Sequence, residues 1–279
     1  MTDPGDAYVH PRYLAGSTTI GDPGLRPALD ADWKVSHDDL GNVFLPSPDQ
    51  RIRIGFLPEG DDDALWKIAA YEETFASPRW GAAFASECPP EFVTAFTTVL
   101  VETHARGGDA FLGDGLSRTG DPYPVLAPLT DADWTVTDDW WTLKVTSPDG
   151  LAGVWYRRGA IDHDGELTSN AARWQMWGGP RDLGWYAVFS THTPAPFITA
   201  TAAAIADPAP VRRWSGELTQ MTRAHARITP VRPPAPTPGD IARAHWRPAP
   251  TARTRTVPRW STSTPSGRLP APARAAARR

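Results

Sequence analysis

WGAAFASECPPEFVTA at residues 80–95 and WYAVFSTHTPAPFITA at residues 185–200 are two versions of one segment, related by an offset of 105 residues. Each begins with Trp, Ala and Phe at every second position (80, 82, 84 and 185, 187, 189), which is typical of a strand with one buried face. Each continues after a proline with apolar residues at three- and four-residue spacing, which indicates a helix. An internal repeat of this kind predicts that the chain is built from copies of one structural unit.

The repeat extends upstream of these two segments. DADW at 30–33 recurs at 131–134, and SPD at 47–49 recurs at 147–149. After the first SPD, apolar and polar residues alternate, whereas the counterpart LAGVWY (151–156) is apolar on both faces. The connections between strands are too short for crossover helices, so we expect an antiparallel sheet.

We therefore predict an α+β fold with two tandem copies of a small antiparallel sheet of four to five strands. One C-terminal helix follows and packs on each sheet, and the copies form a pseudo-twofold pair because a unit of about 78 residues is marginal alone. The predicted parts are an N-terminal extension (1–29), a first repeat (30–108), a linker (109–129), a second repeat (130–210) and an Arg/Pro-rich disordered tail (211–279).

Charge is distributed unevenly along the chain, whose formal net charge is -4. Residues 211–279 contain 14 arginines, no lysine and two acidic residues, which gives this tail +12 and leaves -16 for residues 1–210. Thirteen prolines lie between residues 208 and 279 and oppose regular structure there.

The tail is a candidate nucleic-acid or partner contact, because arginine pairs with phosphates and aromatic rings stack on bases. The candidate contact residues are Arg247, Arg253, Arg255, Arg259, Trp246 and Trp260. An inert, solvated arm is the alternative interpretation of the same composition.

The single cysteine, Cys88, lies at the expected N-cap of the first helix, where a thiol can become nucleophilic. Glu87 and Glu91 would oppose the thiolate, and Thr193 takes the same place in the second copy. We therefore assign Cys88 a structural role. The sequence predicts no catalytic, metal-ligating or cofactor-binding residue.

Two further patterns favour structural interpretations. The acidic groups at 61–63 and 162–166 lack the ligand spacing of a calcium loop, so we interpret them as solvated hairpin tips. SPD places serine and proline at the first two positions of a turn, which predicts a type I turn in both copies.

The motifs also resemble a known family. The resemblance rests on DADW, SPDQRIRIGFLPE, LWKIAAY and WGAAF…PPEFVTAFTTVL, and on SPDGLAGV and GWYAVFSTHTP in the second copy. These are similar to a streptomycete family called the SPDY domain of unknown function, whose members commonly carry two copies. The resemblance covers roughly residues 8–213 and implies no activity. The family is named after the residues Ser-Pro-Asp-Tyr, but this chain has SPDQ at 47–50 and SPDG at 147–150. The fourth position, occupied by Gln50 and Gly150, is therefore not expected to make an essential contact.

These observations favour a non-catalytic binding or adaptor protein whose paired repeats and tail contact a macromolecular partner, either protein or nucleic acid. The alternatives are direct nucleic-acid binding through the tail, and an enzyme of unknown class with its site between the two repeats. No apolar run approaches the ~20 residues of a membrane span, and the N-terminus lacks a secretory signal. We therefore expect a cytoplasmic protein without a membrane partner.

Overall fold

Thirteen strands form in the residues that the computed structural model describes, which are 5–18, 23–60, 63–113, 121–168 and 172–231. The first copy contains β2 (Ser36–His37), β3 (Val43–Pro46), β4 (Ile52–Phe56), β5 (Ala64–Tyr71) and β6 (Pro78–Ala85). The second copy contains β7 (Thr135–Asp138), β8 (Thr142–Thr146), β9 (Ala152–Arg157), β10 (Trp174–Gly178) and β11 (Trp185–Phe189). The remaining strands are β1 (Asp6–His10), β12 (Val211–Trp214) and β13 (Arg227–Pro230).

Six helices accompany these strands in the described residues. They are α1 (Arg26–Asp30), α2 (Pro90–Ala105), α3 (Tyr123–Thr130), α4 (His163–Thr168), α5 (Ala195–Ala206) and α6 (Gln220–His225). Short 3-10 turns span Arg12–Leu14 and Ala110–Leu112. The predicted α+β class is confirmed, and α2 and α5 follow the last strand of each copy.

The two copies share one antiparallel sheet of ten strands, instead of the two separate sheets that we expected. The strand order is β2-β3-β4-β5-β6-β11-β10-β9-β8-β7, so each copy contributes five strands. The copies join where β6 pairs with β11. Two separate sheets would each leave a long edge strand with unpaired backbone groups, and this pairing removes both edges.

The register of the central pair is symmetric between the copies. The opposed residues are Ala82 and Phe189, Ala83 and Val188, and Phe84 and Ala187. At the repeat offset of 105, Ala83 and Val188 are equivalent residues, and the two flanking pairs exchange with each other. A local twofold axis that relates the two central strands therefore passes through the Ala83–Val188 pair.

The inner face of the sheet is covered by α2 and α5, which exchange aromatic contacts between the copies. Phe92 of α2 packs on Trp185 of the second copy, with 5.2 Å between ring centroids. The equivalent Phe197 of α5 packs on Trp80 of the first copy at 5.8 Å. Phe96 stacks on Phe189 with an interplanar angle of 19°. Because each helix covers a strand of the other copy, neither copy has a complete core alone.

The segment 109–129 is not the surface linker that we expected from its glycine, proline and aspartate content. It contains the turn Ala110–Leu112 and most of α3, and three of its apolar side chains are at most 1 % exposed. These side chains are Phe111, Leu126 and Leu129.

The two 3-10 turns supply acceptors for buried tryptophans at the centre of the sheet. Trp80 Nε1 donates to the Phe111 carbonyl oxygen, and Trp185 Nε1 donates to the Tyr13 carbonyl oxygen, both at 2.8 Å. Buried indole N–H groups usually find such a partner. The N-terminal extension and the expected linker are therefore integral parts of the fold.

Residues 211–231 are folded, although we expected them to begin a disordered tail. β1 lies between β12 and β13 in a three-stranded antiparallel sheet. The guanidinium of the buried Arg213 donates to both carboxylate oxygens of Glu91 at 2.7 Å, and to the Gly16 carbonyl oxygen at 3.1 Å. Arg213 thus ties β12 to the first turn of α2, and this arginine contributes to stability.

We predict that a chain ending at Val231 is more stable than a chain ending at Pro210 by at least about 3 kcal/mol. The shorter chain loses β12, β13 and the hydrogen-bonded partner of Glu91, whose side chain is 32 % exposed. Loss of the hydrogen bonds to this carboxylate accounts for ~1.5–3 kcal/mol, and loss of the two strands for the rest. Urea denaturation followed by circular dichroism measures the difference, and Arg213→Met in the longer chain should reproduce much of it. Equal free energies of unfolding for the two chains would contradict this prediction.

Candidate functional site

Three aromatic side chains form a cluster on the outer face of the ten-stranded sheet. Trp155 of β9, Trp177 of β10 and Tyr186 of β11 occupy outward-facing positions on adjacent strands. Trp155 is 41 % exposed, and its ring centroid lies 6.3 Å from that of Trp177. The three side chains line a groove of about 740 Å³, and we call them the aromatic platform.

The first copy has no equivalent of this platform. The repeat alignment places Gly55, Ala69 and Gly81 at the positions of the three aromatic residues. The outer faces of the two copies therefore differ in chemistry although their strands are equivalent.

Trp177 is held in place by packing directly over Gly153 of the neighbouring strand. A Cβ atom at Gly153 would lie 2.8 Å from three atoms of the indole, so a larger residue would displace the ring. The packing buries Trp177 Nε1, which has no hydrogen-bond partner in the described part of the chain. The platform is thus a packed surface, and Trp177 is one of its fixed parts.

Basic side chains are spread over the outer face of the whole sheet. The charged residues at outward-facing strand positions of the described sheet are all basic, namely Arg53, Lys67, Arg79, Lys144 and Arg157. Residues 1–231 contain 31 acidic and 18 basic residues, so composition does not explain this bias. Lys144 lies directly opposite Trp155, with its Nζ atom 6.0 Å from the indole centroid.

Asp162, Asp164 and Glu72 lie towards the first copy. Leu167 of α4 contacts Gly81 of β6, so α4 covers the outer face there and brings Asp162 and Asp164 with it. Glu72 pairs with Arg79 at 3.5 Å. The basic character is therefore strongest around the platform, where Arg157 follows Trp155 on β9 and Arg181 lines the groove.

Two further tryptophans project from the turn between β7 and β8. Trp140 and Trp141 are 91 % and 76 % exposed. The turn is rigid, because Asp139 accepts hydrogen bonds from the backbone N–H groups of Trp141 and Thr142 at 2.8 and 2.7 Å. These bonds lower the pKa of Asp139. The turn therefore holds two large apolar side chains in solvent on the hairpin that carries Lys144.

A cavity of about 840 Å³ lies where α2, the turn Ala110–Leu112 and α3 meet the second copy. Its apolar wall includes Val99, Val125, Tyr156, Trp174, Phe197 and Ile198, and its exposed charged residues are Arg106, Asp109 and Asp121. The rings of Tyr156 and Trp174 are in contact, with 4.5 Å between centroids. This composition, apolar within and charged at the solvent side, is typical of a small-molecule cavity.

A buried polar network lies beside the cavity. Glu166 accepts hydrogen bonds from the backbone N–H and the hydroxyl of Thr191 at 2.9 and 2.8 Å, and Arg173 Nε donates to the same hydroxyl at 3.1 Å. The interpretation of residues 162–166 as a hairpin tip is therefore wrong. The segment contains the start of α4, and Glu166 fixes this helix to the loop before α5.

Of the residues that the sequence singled out, the structure describes Cys88 but not the six tail candidates. Arg247, Arg253, Arg255, Arg259, Trp246 and Trp260 lie outside the described residues. Cys88 precedes the N-cap, which is Pro89, and is 1 % exposed. Burial, and secondarily the charge of Glu91, raises the pKa of the Cys88 thiol well above its usual range. This environment supports the structural role that the sequence predicts.

The SPD segments form the predicted turns. Ser47 and Ser147 accept the turn hydrogen bond from the backbone N–H groups of Gln50 and Gly150, at 2.8 and 2.9 Å. The fourth turn residues, Gln50 and Gly150, have φ angles of 64° and 72°. This left-handed conformation is one that glycine adopts readily, as at Gly150, and Gln50 adopts it in the first copy.

Within the described ranges, no group of three or more His, Cys, Asp and Glu side chains is arranged to hold a metal ion. Over the same ranges, no helix is both long enough and apolar enough to cross a membrane.

The fold thus defines a tandem-repeat α+β protein with one shared sheet. Comparison with protein families matches residues 46–105 and 146–211 to SPDY, a domain of unknown function (DUF317). The chain therefore carries two copies of the SPDY domain, as its motifs suggested. The matched ranges span β4 to α2 in the first copy and β9 to α5 in the second. Neither the curated proteins nor the solved structures contain a match.

Sequence reasoning missed the aromatic platform and the cavity. The signal for the platform was LAGVWY (151–156), which is apolar on both faces: Ala152 and Val154 face the core, and Trp155 faces solvent. No comparable signal marks the cavity, because its wall comes from five separate segments.

We predict that Cys88 reacts with 5,5′-dithiobis(2-nitrobenzoate) at pH 8 at least ~100-fold more slowly in the folded protein than in denaturant. The thiol is buried and its thiolate is disfavoured, and only the thiolate attacks the reagent. Absorbance of the released thionitrobenzoate measures both rates. Since Cys88 is the only cysteine, Cys88→Ser provides the blank, and equal rates would contradict the prediction.

Proposed function

We propose that this chain is a non-catalytic binding protein whose second SPDY copy binds single-stranded nucleic acid on the outer face of the sheet. The observation that supports this proposal is the aromatic platform, exposed beside Lys144 and Arg157 and absent from the first copy. Exposed aromatic residues on a sheet with adjacent cations are the features that bind unpaired bases and their phosphates.

Stacking supplies the first part of the proposed interaction. An exposed ring stacks on an unpaired base for ~1–3 kcal/mol, and every base has a face that can stack. Trp155 offers the most exposed ring of the platform, and Trp177 is fixed by its contact with Gly153. Two rings 6.3 Å apart and inclined by 57° offer separate faces to successive bases.

Charge complementarity supplies the second part, and the rings beside the charges favour unpaired bases over an acidic protein surface. Residues 1–231 are acidic overall and would repel a polyanion from most of their surface. Lys144, Arg157 and Arg181 lie beside the platform, so a phosphate backbone is attracted there and the bases meet the rings. A single strand is required because paired bases do not expose their faces.

The turn that carries Trp140 and Trp141 extends this surface along the β7–β8 hairpin. Trp141 is three residues from Lys144, which is about 10 Å at the rise of a strand. We infer that these tryptophans contact the same strand of nucleic acid beyond the platform. The first copy has Leu40 and Gly41 at the equivalent turn, which offer no ring for stacking.

We expect a fluorescein-labelled 20-nucleotide RNA or DNA of mixed sequence to raise its fluorescence anisotropy on binding the full chain, whereas the duplex form should bind less tightly. Trp155→Ala should weaken single-strand binding about tenfold or more, the loss of one stacked base. Lys144→Ala with Arg157→Ala should weaken it further and reduce its salt dependence, whose slope is about 0.7 per phosphate neutralised.

Trp214→Ala is the matched control, because Trp214 is 38 % exposed on the separate three-stranded sheet. It should leave affinity unchanged. A variant with alanine at Arg247, Arg253, Arg255, Arg259, Trp246 and Trp260 tests the tail. Loss of binding in that variant together with wild-type affinity in Trp155→Ala would overturn the proposal, as would binding of a proline-rich peptide but no nucleic acid.

A further inference from the structure

The cavity next to the second copy has a closed counterpart in the first copy. Trp66 of β5 and Val93 of α2 are equivalent to Trp174 and Ile198, which line the cavity. In the first copy, the chain just before α1 packs directly on Trp66 and Val93. A Cβ atom at Gly24 would lie 2.6 Å from Val93 Cγ1 and 2.9 Å from the Trp66 ring.

A buried hydroxyl of α2 contacts this segment in the first copy. The Thr97 hydroxyl lies 2.9 Å from the Gly24 carbonyl oxygen and 3.0 Å from the Val93 carbonyl oxygen of its own helix, and Thr97 is fully buried. Glycine permits the close approach of the backbone, and the threonine hydroxyl contacts it. Together they fill the space between the helix and the tryptophan of the sheet.

Both of these residues differ in the second copy. Val125 is the equivalent of Gly24. In the first copy, Val93 and Trp66 occupy the space that a side chain at this position would need. Ala202 stands at the position of Thr97, so this hydroxyl is missing. In the second copy Val125, in the first turn of α3, lines the cavity together with Trp174 and Ile198.

The cavity has the shape and lining of a site for a ring system. Its volume of about 840 Å³ lies within the range of ~300–1,000 Å³ that small-molecule sites occupy. Tyr156, Trp174 and Phe197 supply three aromatic walls, and Arg106 and Asp121 are exposed on the solvent side. Asp109, the other charged residue, pairs with Arg51 at 2.8 Å.

We propose that this cavity binds a small aromatic molecule, with its rings between Trp174 and Phe197 and its polar end towards Arg106 and Asp121. Apolar surface buried on binding provides the driving force. This site is separate from the outer face of the sheet, so the proposal does not depend on nucleic-acid binding.

Two dyes that fluoresce in apolar sites test the proposal on the full chain. They are 8-anilinonaphthalene-1-sulfonate and its uncharged parent N-phenyl-1-naphthylamine, which share one ring system and differ in the polar end. We expect each dye to bind at one site per chain. Ala195→Trp and Ala110→Trp fill the cavity from exposed positions and should each weaken binding at least tenfold.

Ala76→Trp is the matched control, because Ala76 is exposed on a loop outside the cavity. It should leave dye affinity unchanged, as should Trp155→Ala, which alters only the platform. Val125→Gly with Ala202→Thr restores the residues of the closed copy and should also weaken binding. Urea denaturation verifies that each variant is folded. Absence of binding by both dyes, or wild-type affinity in both cavity-filling variants, would overturn the proposal.

Discussion

The antiparallel pairing of β6 with β11 is the interaction on which the rest of the structure depends. It fuses ten strands into one sheet and brings equivalent strands together around the Ala83–Val188 pair. Once the strands are joined, α2 and α5 meet over the joint, and each covers a tryptophan of the other copy. The cavity also depends on this joint, because its wall combines α2 with residues of β9, β10 and α5.

The shared core explains how two copies of one domain have come to differ. Residues at the joint contact both copies, so a change there affects both halves of the core. The outward-facing positions of Trp155 and Trp177 and the residue above each sheet tryptophan are not part of this joint. Those are the places where the copies diverge: aromatic residues replace glycine and alanine on the outer face, and Val125 replaces Gly24 above the tryptophan.

The sequence was sufficient for the repeat, the strand type and the start of the main helices, because side-chain periodicity reports these directly. The sequence did not predict that β6 pairs with β11. Backbone groups make this pairing at Ala83 and Val188, and they are the same in every residue type. Composition also misled: the glycines and prolines of 109–129 surround Phe111 and Leu126, which are core residues. In the same way, the arginines after residue 210 suggested a tail, although Arg213 is a buried partner of Glu91.

The candidate sites were harder to predict for a related reason. A platform needs residues from three strands to be adjacent, and adjacency follows from register, which a single sequence does not give. The double apolar face of LAGVWY pointed to one of the three residues. The cavity differs from its counterpart in the first copy at Val125 and Ala202, and neither difference is unusual by itself.

The outermost strands limit how far this architecture can be repeated. β2 has only two residues and β7 has four, all of them exposed. Such short edges offer few backbone groups to a further strand, which is how natural sheets avoid unwanted addition of other chains. The longer strands β6 and β11 lie at the centre, where the backbone groups of each pair with those of the other. The two copies therefore pair like the subunits of a closed dimer, although they belong to one chain. A third copy would find no edge strand comparable to β6 or β11 to pair with.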